Sequence, residues 1–327
     1  MRNPNLRLRL IRCAAAAIAV AMAVSAPTGW SQAPGPIKIV VPVPAGGSLD
    51  VLVRLLADQI GRTRQRTIVP EFRPGANSVI GTEAVARAAP DGRTLLINAP
   101  AAFVIIPHLQ SLGYEPLTSF EPICNLVTFP EVIAVESADP YRTLADLFGA
   151  ARAHPGELTM ASIGPASIVQ VAFEMLKRAA KIDMTFVPYA GTAPAVNALL
   201  GRHVTAYFGN YRDVAEHVEA RKLRAIVTMS RARFVPLTQV PTIAEAGFPG
   251  IEQEGWFGLF APARTPQETV TQLAEWFSAA AAAPEIRDKL AAQGLFPAKS
   301  CGADFAAVIR RQYEDYGRVI RDARITL

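Results

Sequence analysis

The chain has 327 residues, 33 Lys and Arg against 28 Asp and Glu, and three cysteines. That length exceeds one ordinary hydrophobic core and suggests two domains of about 100–200 residues each, while so few cysteines exclude a disulfide-built scaffold. Four of the basic residues lie in the first 33 positions, which hold no acid; the remainder is near neutral, at 29 against 28, which points away from a nucleic-acid or membrane-surface protein.

Met1 to Arg12 carries four arginines, Cys13 to Ala26 is apolar and rich in Ala and Val, and "WSQA" supplies small residues at Ser31 and Ala33. This is the n-region, h-region and cleavage site of a secretory signal peptide over 1–33. The apolar stretch falls short of the ~20 residues a bilayer span needs. Export makes a Cys124–Cys301 bridge chemically possible, and the sequence leaves that pairing open.

Beyond the leader, strand-like and helical runs alternate. "IKIVV" precedes a helix over 50–60, "RTIVPEF" one over 79–88, and "RTLLIN" follows. Next come "VIAVE" with 143–153, "ELTMAS" with 167–179 and "MTFVPY" with 192–200, then "VTAYFG", "LRAIVTMS" and "WFGLFAP". The chain is helical from Gln267 onward, with a break near "GLFPAKSCGA". Short Val/Ile/Leu-rich strands separated by helices imply an α/β fold with parallel sheets covered on both faces. Ser167 to Gln170, Thr242 to Glu245 and Thr265 to Glu268 have capping-box spacing, Pro266 and Pro284 suit first turns, and Gly61, Gly201 and Gly294 sit where helices should stop.

The sequence contains no GxSxG, HExxH, CxxC, Walker A or GxGxxG motif. An exported hydrolase or dehydrogenase would need a nucleophile beside a base, or a cofactor fingerprint. His108, His154, His203 and His217 are scattered and fit solvated or structural roles. Neither a metal nor a cofactor is expected.

Three strand-to-helix loops are instead unusually bare: "PVPAGGSLD" (42–50), "SIGPAS" (162–167) and "PYAGTAP" (188–194). Gly, Ala, Pro, Ser and Thr leave backbone N–H groups uncovered at the positive ends of helices, where an anion can dock. Any one such loop also serves as a plain turn. Three together favour a ligand cleft at the carboxyl ends of the strands.

These residues resemble the tripartite tricarboxylate transporter substrate-binding receptors, the TctC or Bug proteins. The motifs that carry the resemblance are "IKIVVPVPAGGSLDVLVRLLADQI", "RPGANSVIGTEAVARAAPDGRTLL", "VPYAGTAPAVNALLGRHVTAYFGN", "VPTIAEAGFPG" and "WFGLFAPARTP", in that order over nearly the whole exported chain. The resemblance implies a periplasmic binding protein-like fold, type II-like, of two α/β domains closing on a ligand in the cleft between them. It places domain 1 at 34–131 and 252–327 and domain 2 at 132–251, with crossovers near "FPEVIAV" and "GIEQEGW". It assigns a ligand carboxylate to Ala45, Gly46, Gly47, Ser48 and Asp50, to Ser162, Gly164 and Ser167, and to Tyr189, Gly191, Thr192 and Ala193. Val43, Ala101, Phe103 and Asn210 join them at the margins.

Asp50, an acid beside an anion site, is expected to satisfy the N–H groups of its own helix, and Thr192 to cap the helix it opens. Where family members often carry polar residues, this chain has "APAAFVIIPHL" (99–109). Phe103, Ile105 and Ile106 there either make the cleft wall greasier, favouring an apolar or aromatic carboxylate, or pack in the core. The implied partners are a small carboxylate (a di- or tricarboxylate, amino acid or aromatic acid) and the membrane permease subunits of a tripartite transporter, or a sensor kinase if the role is signalling. The implied receptor is a periplasmic monomer without catalytic activity.

Overall fold

The computed structural model describes residues 35–164 and 167–326, so the leader expected over 1–33 lies outside the described residues. Four of the five residues of β1 (Ile37–Val41) are buried, as expected of a strand covered on both faces. It feeds α1 (Ser48–Arg64), whose Leu49, Leu52, Val53, Leu56 and Ile60 recur at helical spacing and are all buried. Asp50 in its first turn and Arg62 and Arg64 in its last suit the helix dipole. The helix runs past Gly61 and stops at Gln65, which takes the left-handed conformation at φ 52°; here the expected glycine stop is corrected.

The order continues with β2 (Ile68–Phe72), α2 (Val79–Ala86), β3 (Thr94–Asn98), the single turn α3 (Ala101–Val104), and the long strand β4 (Phe120–Glu136). Then come α4 (Leu144–Ala153), β5 (Thr159–Ile163), α5 (Ile168–Ala180), β6 (Thr185–Tyr189), α6 (Thr192–Leu200), β7 (Ala206–Asn210), α7 (Tyr211–Glu219) and β8 (Leu223–Thr228). The chain closes with β9 (Glu254–Pro262), α8 (Gln267–Ala282), α9 (Pro284–Ala291), β10 (Phe296–Pro297) and α10 (Gly302–Ala323).

The caps divide. Gly201 ends α6 and Pro284 opens α9 as expected. Thr242 and Glu245 bond each other's backbone N–H reciprocally, but close a turn rather than a helix. Thr265 donates its hydroxyl to the Pro262 carbonyl and caps nothing. A capping box that the Glu/Gln pattern misses is built by Thr143 and Asp146 at α4.

The sheet order is β2-β1-β3-β9-β4-β7-β5-β6, with β8 and β10 also on β4. The β-α-β segments pair in parallel, β1 with β2 and β3, and β5 with β6 and β7. The expectation of purely parallel sheets fails at the centre, where β9 is antiparallel to β3 and β4, and β4 to β7 and β8. The cause is β4. Its residues up to Pro130 pair with β9, and from Glu131 onward they pair with β7 and β8, so one strand serves both portions of the sheet. The residues from Pro36 onward accordingly hold together as one compact unit.

Helices cover both faces of each portion. In the first, α1, α8 and α9 enclose one core and α2, α3 and α10 the other. In the second, α4 and α5 take one face and α6 and α7 the opposite one. Phe103, Ile105 and Ile106 are fully or almost fully buried in the core beneath α10, with the Phe103 ring stacked on Phe260 at 4.2 Å between centroids. Burying such a ring is worth ~1.5–3 kcal/mol. These residues are core, which corrects Phe103 as a ligand contact and removes the basis for a greasier cleft wall.

Cys124 of β4 and Cys301, next to the start of α10, form a disulfide spanning 177 residues of sequence. The pairing left open by the sequence is thereby made, and it ties the C-terminal helix to the central strand. Closing so long a loop constrains the unfolded chain strongly. Replacing both cysteines together, Cys124→Ala with Cys301→Ser, should lower unfolding free energy by about 2–5 kcal/mol. Urea titration of parent and variant checks this, and the parent should approach the variant under reducing conditions.

Candidate functional site

The loop 42–50 begins with two prolines that have no N–H to offer and a half-buried Val43 packed against the core of α1 and β1. Ala45, Gly46 and Gly47 are exposed. Gly46 adopts φ +98°, a conformation glycine alone takes without strain. Its N–H donates to Asp50 Oδ2 at 2.9 Å, while Asp50 Oδ1 accepts from Arg54 Nε. Asp50 is thus satisfied by the loop and by Arg54 rather than by its helix's own N–H groups, and the Gly46 donor is spent inside the protein. Gly47 stands at the N-cap of α1 without any side-chain cap.

In the second portion, parallel pairing sets Ser162 opposite Pro188 and Ile163 opposite Tyr189, and the Gly164 N–H donates to the Tyr189 carbonyl at 3.0 Å. The loops after β5 and β6 are therefore neighbours. Gly164 is left-handed at φ +59°. Ser162 is fully buried and its Oγ has no partner among the described residues, so its hydroxyl lies behind the loop surface. Ser167 caps α5 by accepting from the Gln170 N–H at 3.2 Å. Residues 165 and 166 fall outside the description.

Gly191 is the N-cap of α6, in extended backbone and with no side-chain cap. The expectation that Thr192 caps this helix is corrected, because its hydroxyl donates to the Asp213 carboxylate. Tyr189 is half-buried against the α6 and α7 core and Ala193 is exposed. Asn210 Oδ1 accepts from the Arg212 N–H at 2.9 Å and caps α7. Ala101 opens the short turn α3 at the same sheet edge as the loop after β1, since β1 and β3 run in parallel.

Four helix starts near these loops differ in how they are capped. Those of α5 and α7 are closed by their own side chains, Ser167 and Asn210. Those of α1 and α6 have only glycine at the cap. Around Gly47 and around Gly191, an added Cβ would meet no atom within 4 Å, so both starts face open space. The first-turn N–H groups at Ser48 and Leu49, and at Thr192 and Ala193, are donors at the positive end of a dipole, the chemistry that receives a carboxylate or phosphate oxygen.

Beside the α6 start lies a pair of acids, one buried and one half-buried, that the sequence does not reveal. Glu131 sits at the turnover point of β4, opposite Asn210, and is 4 % exposed with Oε2 unpartnered among the described residues. Burial, reinforced by the nearby Asp213, pushes its pKa up to about 8, so it is largely protonated at neutral pH. Asp213 is also pushed up by burial, against the pull of hydrogen bonds from the Tyr207 hydroxyl at 2.6 Å and from Thr192. "FPEVIAV" looks like any crossing strand, and one acid in an apolar run was the only available signal. Among the described residues, no cluster of His, Cys, Asp and Glu could hold a metal ion, and no helix is long and apolar enough to cross a membrane.

Residues 52–325 match the model of the tripartite tricarboxylate transporter family receptor. The chain is 31% identical to BugT of Bordetella pertussis over 88% of its own length and 89% of that protein's. Among solved structures it is similar to an R. palustris protein with adipate, at 30% identity and a TM-score of 0.74 over 89% of this chain and 98% of that one. It is similar also to MatC from Rhodopseudomonas palustris with bound malate, at 28% identity and a TM-score of 0.70 over 87% and 98%.

The Glu131 shift fixes a pH dependence. Because the folded-state value is raised above that of a free glutamate, the stability tied to its proton is full below about 4.5 and is lost as pH rises through about 8. Glu131→Gln keeps a neutral polar group and should lose less stability over that window than the parent. Thermal melts across it provide the check; equal declines would show that Glu131 ionises freely.

Proposed function

We propose that this chain, which belongs to the tripartite tricarboxylate transporter receptor family, captures a small carboxylate outside the cytoplasm and delivers it to the membrane permease of such a transporter. The single observation that carries the reading is the pair of glycine-capped helix starts, at Gly47 and Gly191, both open to solvent. Similar structures hold adipate and malate, which supports a carboxylate as the occupant. The family is one of solute receptors, and no catalytic step enters the reading.

Magnitudes decide how such an anion is held. Two helix dipoles at ~0.3–1 kcal/mol each fall far short of the ~8 kcal/mol that micromolar binding requires. Charge-assisted hydrogen bonds, at about 1.5–3 kcal/mol apiece, must therefore carry the affinity. They come from Ser48 and Leu49 on one side and Thr192 and Ala193 on the other. The Asp213 carboxylate, by accepting from the Thr192 hydroxyl, positions the first turn of α6.

Two lobes supply these two sides, one from 34–131 with 252–327 and the other from 132–251. In support, β4 changes partners between Pro130 and Glu131, and β9 begins at Glu254. Closure about those strands brings the Gly47 loop toward the Gly191 loop. The leader at 1–33 directs the chain to the periplasm and is removed there.

A screen of ligand-free protein against malate, adipate, citrate, glutamate and nicotinate should raise the melting temperature with at least one. Gly47→Leu is the incisive variant, since Gly47 has an ordinary φ of −86° and room for a side chain. It should weaken that ligand by roughly tenfold or more, a loss of about 1.4 kcal/mol or greater, with the unliganded melting temperature unchanged. Unaltered affinity would remove the α1 start from the site.

A further inference from the structure

Glu131 stands between the two portions of the sheet. Pro130 before it pairs with Glu254 of β9, whereas Glu131 pairs with Asn210 of β7, and its carbonyl accepts the Met229 N–H at 2.8 Å. The Glu131 side chain is 4 % exposed, and its Oε2 has no partner among the described residues. Two tyrosines lie within its electrostatic reach, one from each side. Tyr316 of α10 belongs to a core of the first portion and Tyr207 of β7 to a core of the second.

The charged groups around this junction leave Glu131 without a countercharge. On α7, Asp213 faces it as a second acid, and the neighbouring Arg212 donates to the Ala292 carbonyl. On β9, Glu254 draws on Arg231. On α10, Tyr316 lies beside Asp315 and Arg311, and Asp315 is paired with Arg318. Both tyrosine hydroxyls are held protonated by burial. The influences on Glu131 are its burial and Asp213, and both disfavour a charge on it.

The two acids are unequally supported. Asp213 accepts from the Tyr207 hydroxyl at 2.6 Å and from Thr192, so the negative charge rests better there. A buried acid without a countercharge either keeps its proton or gains water. Gaining water at Glu131 means parting the two portions, because Tyr316 walls it on one side and Tyr207 with Asp213 on the other. An ionised Glu131 would also repel Asp213, which drives the same movement.

We propose that Glu131 is a proton-operated pivot, an inference that rests on the two-lobe closure proposed above. Protonated, it lets the two portions pack across it. Deprotonated, it opens the junction to water and draws the helix starts at Gly47 and Gly191 apart, so ligand capture is tuned to pH as a closing hinge allows.

Small-angle X-ray scattering of the ligand-free protein tests this. At neutral pH and below, the radius of gyration should lie near the ~19 Å of a compact chain of this length. It should rise as pH passes about 8, with the far-UV circular dichroism unchanged. Glu131→Gln and Glu131→Met, neutral at every pH, should keep the low-pH radius throughout. Asp213→Asn removes the facing charge and should bring the rise to lower pH by roughly half a unit or more. A parent radius constant with pH, the same rise in both Glu131 variants, an unmoved midpoint in Asp213→Asn, or a rise that comes with loss of helix would each overturn the proposal. No ligand enters the measurement, so a flat curve leaves carboxylate capture standing, and unaltered affinity in Gly47→Leu leaves the pH transition standing.

Discussion

Unsatisfied backbone N–H groups at the starts of α1 and α6 are the constraint on which the rest depends. A helix start ordinarily recruits a side chain for these donors, as α4, α5 and α7 do with Thr143, Ser167 and Asn210. The chain places glycine at the caps of α1 and α6, forgoing only a few tenths of a kcal/mol of capping at each relative to the best residues. Both starts thereby leave backbone facing open space. Neighbouring side chains support that arrangement: Asp50 holds the left-handed Gly46 turn, and Asp213 holds the Thr192 hydroxyl.

The strand β4 links the two portions of the sheet that carry these helix starts. It pairs with β9 on one side of Pro130 and with β7 and β8 beyond it. A single continuous strand thereby sets the spacing of the two portions. The disulfide at Cys124 anchors α10 to the same strand. Glu131, held protonated by burial at the change of partners, places a neutral group where a charge would otherwise face Asp213. The proposed closure would bend the chain at this junction, where one strand and one returning strand carry the connection.

Much of this was legible in the sequence because periodicity and turn chemistry are local. The bare loops at 42–50 and 188–194, the alternation of strands and helices, and the family motifs all lie within short windows. What escaped depended on distant partners. Pro122 and Pro130 argue against a strand, and β4 absorbs at least the first with a shift of register near Cys124. Phe103 gave no sign of whether it would face a cleft or Phe260, since an aromatic ring suits both. Thr192 sits at a capping position by spacing, yet Asp213 lies across a helix pair. The Cys124–Cys301 pairing and the burial of Glu131 likewise follow only from the assembled sheet.

The proposed resting place of the carboxylate is the backbone of two helix starts. Amide 15N–1H spectra recorded during titration with a bound carboxylate test this directly. The largest downfield shifts should fall on the amides of Ser48, Leu49, Thr192 and Ala193, with those of the self-capped Ser167 and Asn210 turns moving less. Saturable binding that leaves those four amides in place would put the carboxylate elsewhere.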